Sequence, residues 1–327
     1  MKQIFCMILA LCLTLCVMPI ASADKQEGLF RYYIAEGNAY ITKCDQSVQG
    51  HLDIPETIEG VPVYALMEES FMGCRDLTSV TIPSSVVWID SWAFSESGLT
   101  TVAISKSVIA IGVCAFSDCL SLAEIVVEEE NPNYSSIGGV LFSKDLTELM
   151  QYPGAKRDEY YEIPQGVEAL DRNSFSGNAY LKEVVISNTV TIIGSQSFVG
   201  CENLLDITIP PSVEQIFSNP FGGIYNPQVL DWPLVPGFTI HCYAGSYADI
   251  YTWLENLPFH SINELGDNNY DDLINAKDAL VALRISVGKF YITPALEQAS
   301  DVNKDGVVNA KDALEILKKS VGKPACF

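Results

Sequence analysis

One short run of residues recurs through the middle of the chain at a spacing near 23, and that spacing restricts the fold more than any other feature. Phe71, Phe94 and Phe116 stand 23 and 22 residues apart, and Phe175, Phe198 and Phe221 stand 23 and 23 apart. The repeat, restated with variations, is a Phe, a short polar turn, Leu-x-x-Val/Ile-x-Ile, a Ser-x-Val step and then Ile-x-x-x-Ala-Phe. Ile82-Pro, Ile104-Ser, Ile163-Pro, Ile186-Ser and Ile209-Pro keep the same register. A fixed period of this length defines a solenoid, because no single coil can bury its own apolar face and only stacking completes a core.

Each coil carries an alternating run such as Leu77-x-x-Val80-x-Ile82, which is strand-like with one face buried. Pro83 or Pro210 ends the pairing. A second β segment, Val86 to Ile89 or Val190 to Ile193, leads into a helical turn that carries the Phe. Stacking aligns Phe, Leu and Ile into ladders worth about 1.5 to 3 kcal/mol per buried large side chain. The expected limits are an N-terminal cap and first repeat over 24–70, the solenoid over 71–223, and a C-terminal cap over 224–262. Glu36-Gly37-Asn38 should close a hairpin in the first cap, and the second should turn helical from Ser246 on. An insertion near 128–160 breaks the register. It brings Tyr134, Tyr152, Tyr160 and Tyr161 close in sequence, either as a ligand-stacking patch or as part of a variant coil.

Phe71-Met-Gly-Cys-Arg-Asp-Leu77, Phe116-Ser-Asp-Cys-Leu-Ser-Leu122 and Phe198-Val-Gly-Cys-Glu-Asn-Leu204 resemble the BspA-like leucine-rich repeats of bacterial surface proteins, over about Phe30 to Phe259. The resemblance implies an elongated, mainly β solenoid with short helical turns, used for binding; it does not imply one ligand.

Beyond the repeats lies Asp301-Val-Asn-Lys-Asp-Gly-Val-Val-Asn-Ala-Lys-Asp312. Asp301, Asn303, Asp305, Asn309 and Asp312 place side-chain oxygens at loop positions 1, 3, 5, 9 and 12, Val307 offers a carbonyl at position 7, and Gly306 supplies the sharp turn. Hard Ca²⁺ prefers such an oxygen cage. The pattern also occurs 34 residues earlier, with Asp267, Asn269, Asp271, the carbonyl of Leu273, Asn275 and Asp278, but Asp272 stands where the turn wants Gly. Asn275-Ala-Lys-Asp-Ala-Leu280 and Asn309-Ala-Lys-Asp-Ala-Leu314 follow, with Leu280, Leu283, Leu314 and Leu317 spaced as one stripe of an amphipathic helix. Each copy is thus a Ca²⁺ loop running into one helix, since Asn263-Glu-Leu-Gly-Asp267 cannot form an entering helix.

This duplicated unit resembles a type I dockerin over about 265–327. The resemblance implies a small all-α module with two Ca²⁺ sites that binds a cohesin domain on a scaffoldin or cell-surface protein. It also implies that the contacts fall on Ala276, Lys277, Leu283 and Arg284 in one copy, and on Ala310, Lys311, Leu317 and Lys318 in the other. A two-fold relation between the copies would let either helix face the partner.

Lys2, the apolar run from Ile4 to Ile20 and Ala21-Ser-Ala23 read as a secretory signal peptide over 1–23. Residues 24–264 hold 10 Lys+Arg against 32 Asp+Glu, whereas residues 265–327 hold 8 against 9. An acidic repeat region argues against nucleic acid and anionic membrane as partners. Cys44, Cys74, Cys114, Cys119, Cys201, Cys242 and Cys326 are an odd set at repeat-locked positions, which suits buried thiols better than a disulfide framework.

Of the three histidines, His51, His241 and His260, each falls in a cap or terminal coil, and no GxSxG or HExxH accompanies them. A Ser-His-Asp triad could assemble only by tertiary accident. The expectation is therefore a secreted, non-catalytic binding subunit whose repeats recognise a protein or a carbohydrate. The readings beside it are a dockerin-tagged enzyme acting on polysaccharides or peptides, and a free adhesin.

Overall fold

The computed structural model describes residues 25–223, 233–262, 265–269, 273–290 and 292–326. The expected signal peptide lies outside the described residues, as do Asp271 and Asp272 of the first loop. The chain divides into two compact units, 1–134 and 135–327.

In the first unit, Lys25–Glu27, Phe30–Ala35 and Asn38–Cys44 form an antiparallel sheet. Glu36 and Gly37 turn with φ of 51° and 76°, a pair of left-handed residues whose twist matches that of the flanking strands. Asn38–Cys44 then pairs in parallel with Val61–Leu66, and the ladder continues through Trp88–Ile89 to Ala110–Ile111. On another side of the coils Gly50–Asp53 pairs with Leu77–Thr81, and Thr101–Ile104 with Glu124–Val127, again in parallel. Thr101 faces Glu124 and Trp88 faces Ala110, so one sequence repeat makes one coil.

Early in the second unit, Val140–Ser143 and Glu148–Gln151 form a hairpin. From it a parallel ladder runs through Ala169–Leu170 and Ile192–Ile193 to Gln215–Ile216. The other ladder joins Tyr160–Glu162, Glu183–Val185, Asp206–Ile209, Thr239–Cys242 and Phe259–Ser261. Helix α1 (Tyr247–Leu254) starts where Ser246 accepts the Asp249 N–H, an ordinary N-cap. The chain is mainly β, built of stacked coils, and the other helices among the described residues are gathered beyond the repeats.

Aromatic rings hold the coils together. Phe71 stacks on Phe94 at 4.8 Å and Phe94 on Phe116 at 5.7 Å. In the second unit the column is Tyr152, Phe175, Phe198 and Phe221, with centroids 4.9, 4.7 and 5.9 Å apart. Tyr152 therefore takes the place of a repeat Phe; it is fully buried and its hydroxyl donates to Asp158 at 2.9 Å. Tyr161 packs edge-on against it at 4.7 Å. The patch of four tyrosines considered from sequence is thus broken up: Tyr160 is half exposed, but Tyr152 belongs to the core, because the coil needs an aromatic ring there.

The turn around each ring is not α-helical. Glu69, Trp92, Cys114, Asn173, Gln196 and Asn219, each two residues before a ring, have φ between 49° and 59°. Gly73, Glu96, Asp118, Gly177 and Gly200, two residues after one, are also left-handed. A helix needs an unbroken run near −63°, so these segments fold instead as successive β-turns: Ser70 N–H donates to Met67 O, Met72 to Glu69 and Cys74 to Phe71. The alternate N–H groups of Glu69, Phe71 and Gly73 are thereby freed to donate to the carbonyls of Ser91, Ala93 and Ser95 on the next coil, at 3.1, 2.7 and 2.9 Å.

The cysteines follow the same logic. Cys44, Cys74, Cys114, Cys119, Cys201 and Cys242 are buried, and Cys326 is exposed. Cys119 Sγ donates to Phe94 O at 3.1 Å and Cys201 Sγ to Phe175 O at 3.2 Å, each reaching the carbonyl of the ring one coil back. Burial pushes the Cys119 thiol up to about 11, which keeps it protonated and unreactive.

Candidate metal centre and docking face

Helices α2 (Ala276–Ser286) and α4 (Ala310–Ser320) begin identically. Asn275 Oδ1 accepts the Lys277 N–H at 2.8 Å while Asp278 Oδ2 accepts the Asn275 N–H at 2.8 Å. Asn309, Lys311 and Asp312 repeat this at 2.9 and 2.8 Å. These are capping boxes with Asp as the returning acid. Asn275 and Asn309, expected as side-chain donors to the metal, thus serve first as helix caps, and their Nδ2 groups donate to the Leu273 and Val307 carbonyls.

The second loop winds around its own acids. Asp301 accepts from Asp305 N at 3.1 Å and from Gly306 N at 2.8 Å, Asn303 accepts from Asp305 N at 2.9 Å, and Asp305 accepts from Val307 N at 3.1 Å. Asp312, fully buried, closes the loop by accepting from Asn303 N at 3.3 Å. Gly306 sits at φ 83°, where a side chain is strained. In the first loop the buried Asp278 accepts from Asn268 N at 2.9 Å and Asn269 N at 3.1 Å, and Asp267 is also buried.

Among the described residues no three His, Cys, Asp or Glu side chains converge as a ready-made metal site; the carboxylates are turned to the loop amides. The donor set nonetheless suits a hard cation: Asp301, Asn303, Asp305, the Val307 carbonyl and Asp312 offer oxygen alone. Asp278 and Asp312 are buried against backbone N–H groups, which solvate a carboxylate but do not neutralise it. A bound divalent ion would balance that charge.

The core beneath is small: Ala279, Ala282, Val302, Val308, Ala313 and Ile316, with Ile285 partly buried beside them. Small Ala side chains take the inward faces of α2 and α4, so the leucine stripe points outward. Leu280, Leu283, Leu314 and Leu317 are 48, 39, 53 and 38 % exposed. Ala276, Lys277, Arg284, Ala310 and Lys311 are exposed around them, and Lys318 is half-buried by its pair with Glu315 at 2.6 Å. Two matching apolar faces rimmed by cations thus stand behind the two loops.

A constellation that sequence treated as an accident is also present. On the strand face of the first unit, His51 Nδ1 lies 2.8 Å from Ser79 Oγ, and its Nε2 lies 3.0 Å from Asp53 Oδ1 and 3.2 Å from Thr81 Oγ1. Hydrogen bonds from Thr81 and His51 hold the Asp53 carboxyl below its usual range. The His51 and Asp53 side chains are 51 and 76 % exposed, so the group lies on an open, solvated face. The register that pairs His51 with Ser79 across coils, invisible in the sequence, is what brings them together.

Residues 49–154 and 155–272 match the BspA type leucine rich repeat region in six copies, and residues 265–321 match the dockerin type I domain. No curated protein matches. Among solved structures, a leucine rich cell surface protein from Faecalibacterium prausnitzii A2-165 is 18% identical, with 76% of this chain and 96% of that one covered and a TM-score of 0.43. A leucine-rich repeat protein from Eubacterium ventriosum is 21% identical over 69% and 73%, with a TM-score of 0.44. The pneumococcal vaccine antigen PcpA is 17% identical over 88% and 97%, with a TM-score of 0.45.

Proposed function

We propose, from the premise that this chain belongs to the BspA type leucine-rich-repeat family and carries a type I dockerin domain, that it is a secreted, non-catalytic binding subunit. Its repeats recognise a protein or carbohydrate ligand, and its dockerin attaches it, through Ca²⁺, to a cohesin on a scaffoldin or cell surface. The observation that carries this reading is the pair of exposed leucine stripes on α2 and α4, each beginning directly behind an oxygen-donor loop.

Asp267, Asn269, Asp271, Leu273 O and Asp278 would hold one ion and Asp301, Asn303, Asp305, Val307 O and Asp312 the other, with Asn275 and Asn309 acting from the helix caps. Bound there, the ions would supply positive charge to the loop carboxylates directly ahead of the capped helix starts at Asn275 and Asn309. Leu283 and Leu317 give the partner apolar contact, while Lys277, Arg284, Lys311 and Lys318 favour an acidic rim. The near identity of the two faces lets the partner dock on either.

The test is a panel of purified cohesins, with and without chelator, run beside a panel of glycans and proteins scored for retention and for turnover. Calcium-dependent cohesin binding with retention but no turnover is expected. Turnover of any substrate by the repeat domain would make the chain an enzyme, and failure on every cohesin would leave a free adhesin.

A further inference from the structure

We infer that one short helix, α3 (Pro294–Ser300), couples both calcium loops to the C-terminal cap of the repeats, so that the cap fixes the dockerin's orientation and raises its affinity for calcium. The inference rests on the dockerin reading above, and it concerns the cap and α3 rather than the cohesin.

The N-terminal end of α3 is held by the cap. Thr293 accepts the Leu296 N–H at 3.2 Å, capping α3, while its hydroxyl donates to Asp249 Oδ2 in α1. Asp249 is completely buried and also accepts the Gly245 N–H at 2.7 Å; its Oδ1 has no hydrogen-bond partner among the described residues. A buried carboxylate that draws one of its bonds from Thr293 is penalised if α3 leaves.

The flank of α3 is shared in the same way. Leu296 and Ala299, 1 and 4 % exposed, are buried in one cluster with Ala244 of the cap, against which Phe259, Val281 and Ile285 also pack. Seven residues are too few to stay helical alone, so α3 takes its order from this packing.

The C-terminal end of α3 reaches both loops. Its C-cap is Asp301, the first donor of the second loop. Ala299 O accepts the Gly266 N–H at 2.9 Å, and Ser300 Oγ donates to Asn268 Oδ1 at 3.0 Å, on either side of Asp267 in the first loop.

The sequence carries the same asymmetry. At the 34-residue offset, Val281 and Ile285 of the first copy correspond to Glu315 and Lys319 of the second. The apolar pair occurs in the copy whose flank packs into the cluster with Ala244. When one element must be ordered for two events, each event lowers the ordering cost of the other, and the coupling is reciprocal.

The experiment uses the full-length protein and substitutions confined to the cap. Calcium is titrated calorimetrically into the wild type, Asp249→Asn and Ala244→Gln. In parallel, spin labels at Glu183→Cys and Leu314→Cys, in a Cys326→Ser background, report the distance between repeats and dockerin. Expected are an apparent calcium Kd raised about tenfold in both variants, within the roughly 5- to 150-fold usual for coupled sites, and a narrow distance distribution that broadens in the variants and on chelation. If Ala244→Gln unfolds the cap, seen as loss of the β circular dichroism, Asp249→Asn carries the test, since it keeps the side chain's size. Unchanged affinity in the folded variants, or a broad distribution in calcium-loaded wild type, overturns the coupling while leaving the dockerin reading intact. No calcium binding by the wild type overturns both.

Discussion

The ring of Phe198 lies 4.7 Å from that of Phe175, with the two planes inclined by 20° and both side chains sealed from water. Phe198 is also 5.9 Å from Phe221, so it is an interior member of the column. Phe198→Ala removes the transfer energy of the ring and leaves a cavity that the stacked neighbours cannot close, an expected loss of about 3 to 5 kcal/mol. Thermal or urea melting of the full chain measures it; a negligible shift would contradict the register described here.

Much of this architecture is legible in the sequence, because a solenoid repeats one local solution and the 23-residue spacing announces it. The turns around the rings are less so. Gly73, Gly177 and Gly200 mark left-handed positions after the ring, but Glu69, Trp92, Cys114 and Gln196 adopt the same backbone without any compositional sign. Coil-to-coil hydrogen bonds impose it. Tyr152 is open to two readings for a related reason: a tyrosine in an insertion suits a surface patch or a variant coil, and only the column shows that it fills the position of a repeat Phe. In the dockerin, periodicity identified the leucine stripe but not its direction. That was set by Ala279, Ala282 and Ala313, whose small side chains let the helices approach closely and turn the leucines outward.

Glu148 provides a pH dependence. Burial, with the charges of Asp171 and Asp145 adding to it, pushes its carboxyl up to about 7. A raised acid stabilises the fold fully below its unfolded pKa, near 4.5, and that contribution is lost as pH rises through about 7. Between pH 5 and 8 the wild type should lose roughly 2 kcal/mol that Glu148→Gln does not lose. Melting both proteins across that range checks the difference; parallel curves would show that Glu148 is ionised freely in the fold.

The dockerin's core is too small to hold its helices without the ions, so folding and calcium binding should be linked. Chelation is expected to remove the helical circular dichroism of α2 and α4 while the β signal of the coils persists. Asp301→Ala should raise the calcium requirement more than Asp267→Ala, because Asp272 stands at the turn position of the first loop where the second has Gly306. Equal effects would mean that the two loops bind alike.

Lys277 and Lys311 occupy corresponding places beside the two leucine stripes, both exposed. Lys277→Glu or Lys311→Glu alone should weaken cohesin binding only slightly, since the other face remains, and the double reversal should abolish it. Calorimetry distinguishes this from a single fixed orientation, in which one reversal alone eliminates binding.

The central claim, calcium-dependent attachment through the dockerin, is tested most directly by capture. The purified full-length protein is immobilised and exposed to the secreted fraction of the organism that produces it, in calcium and in EDTA, and the retained proteins are identified by mass spectrometry. The account predicts a cohesin-bearing scaffoldin or surface protein in calcium that disappears in EDTA. Recovery of the same partners with and without EDTA, or of none bearing a cohesin, would contradict it.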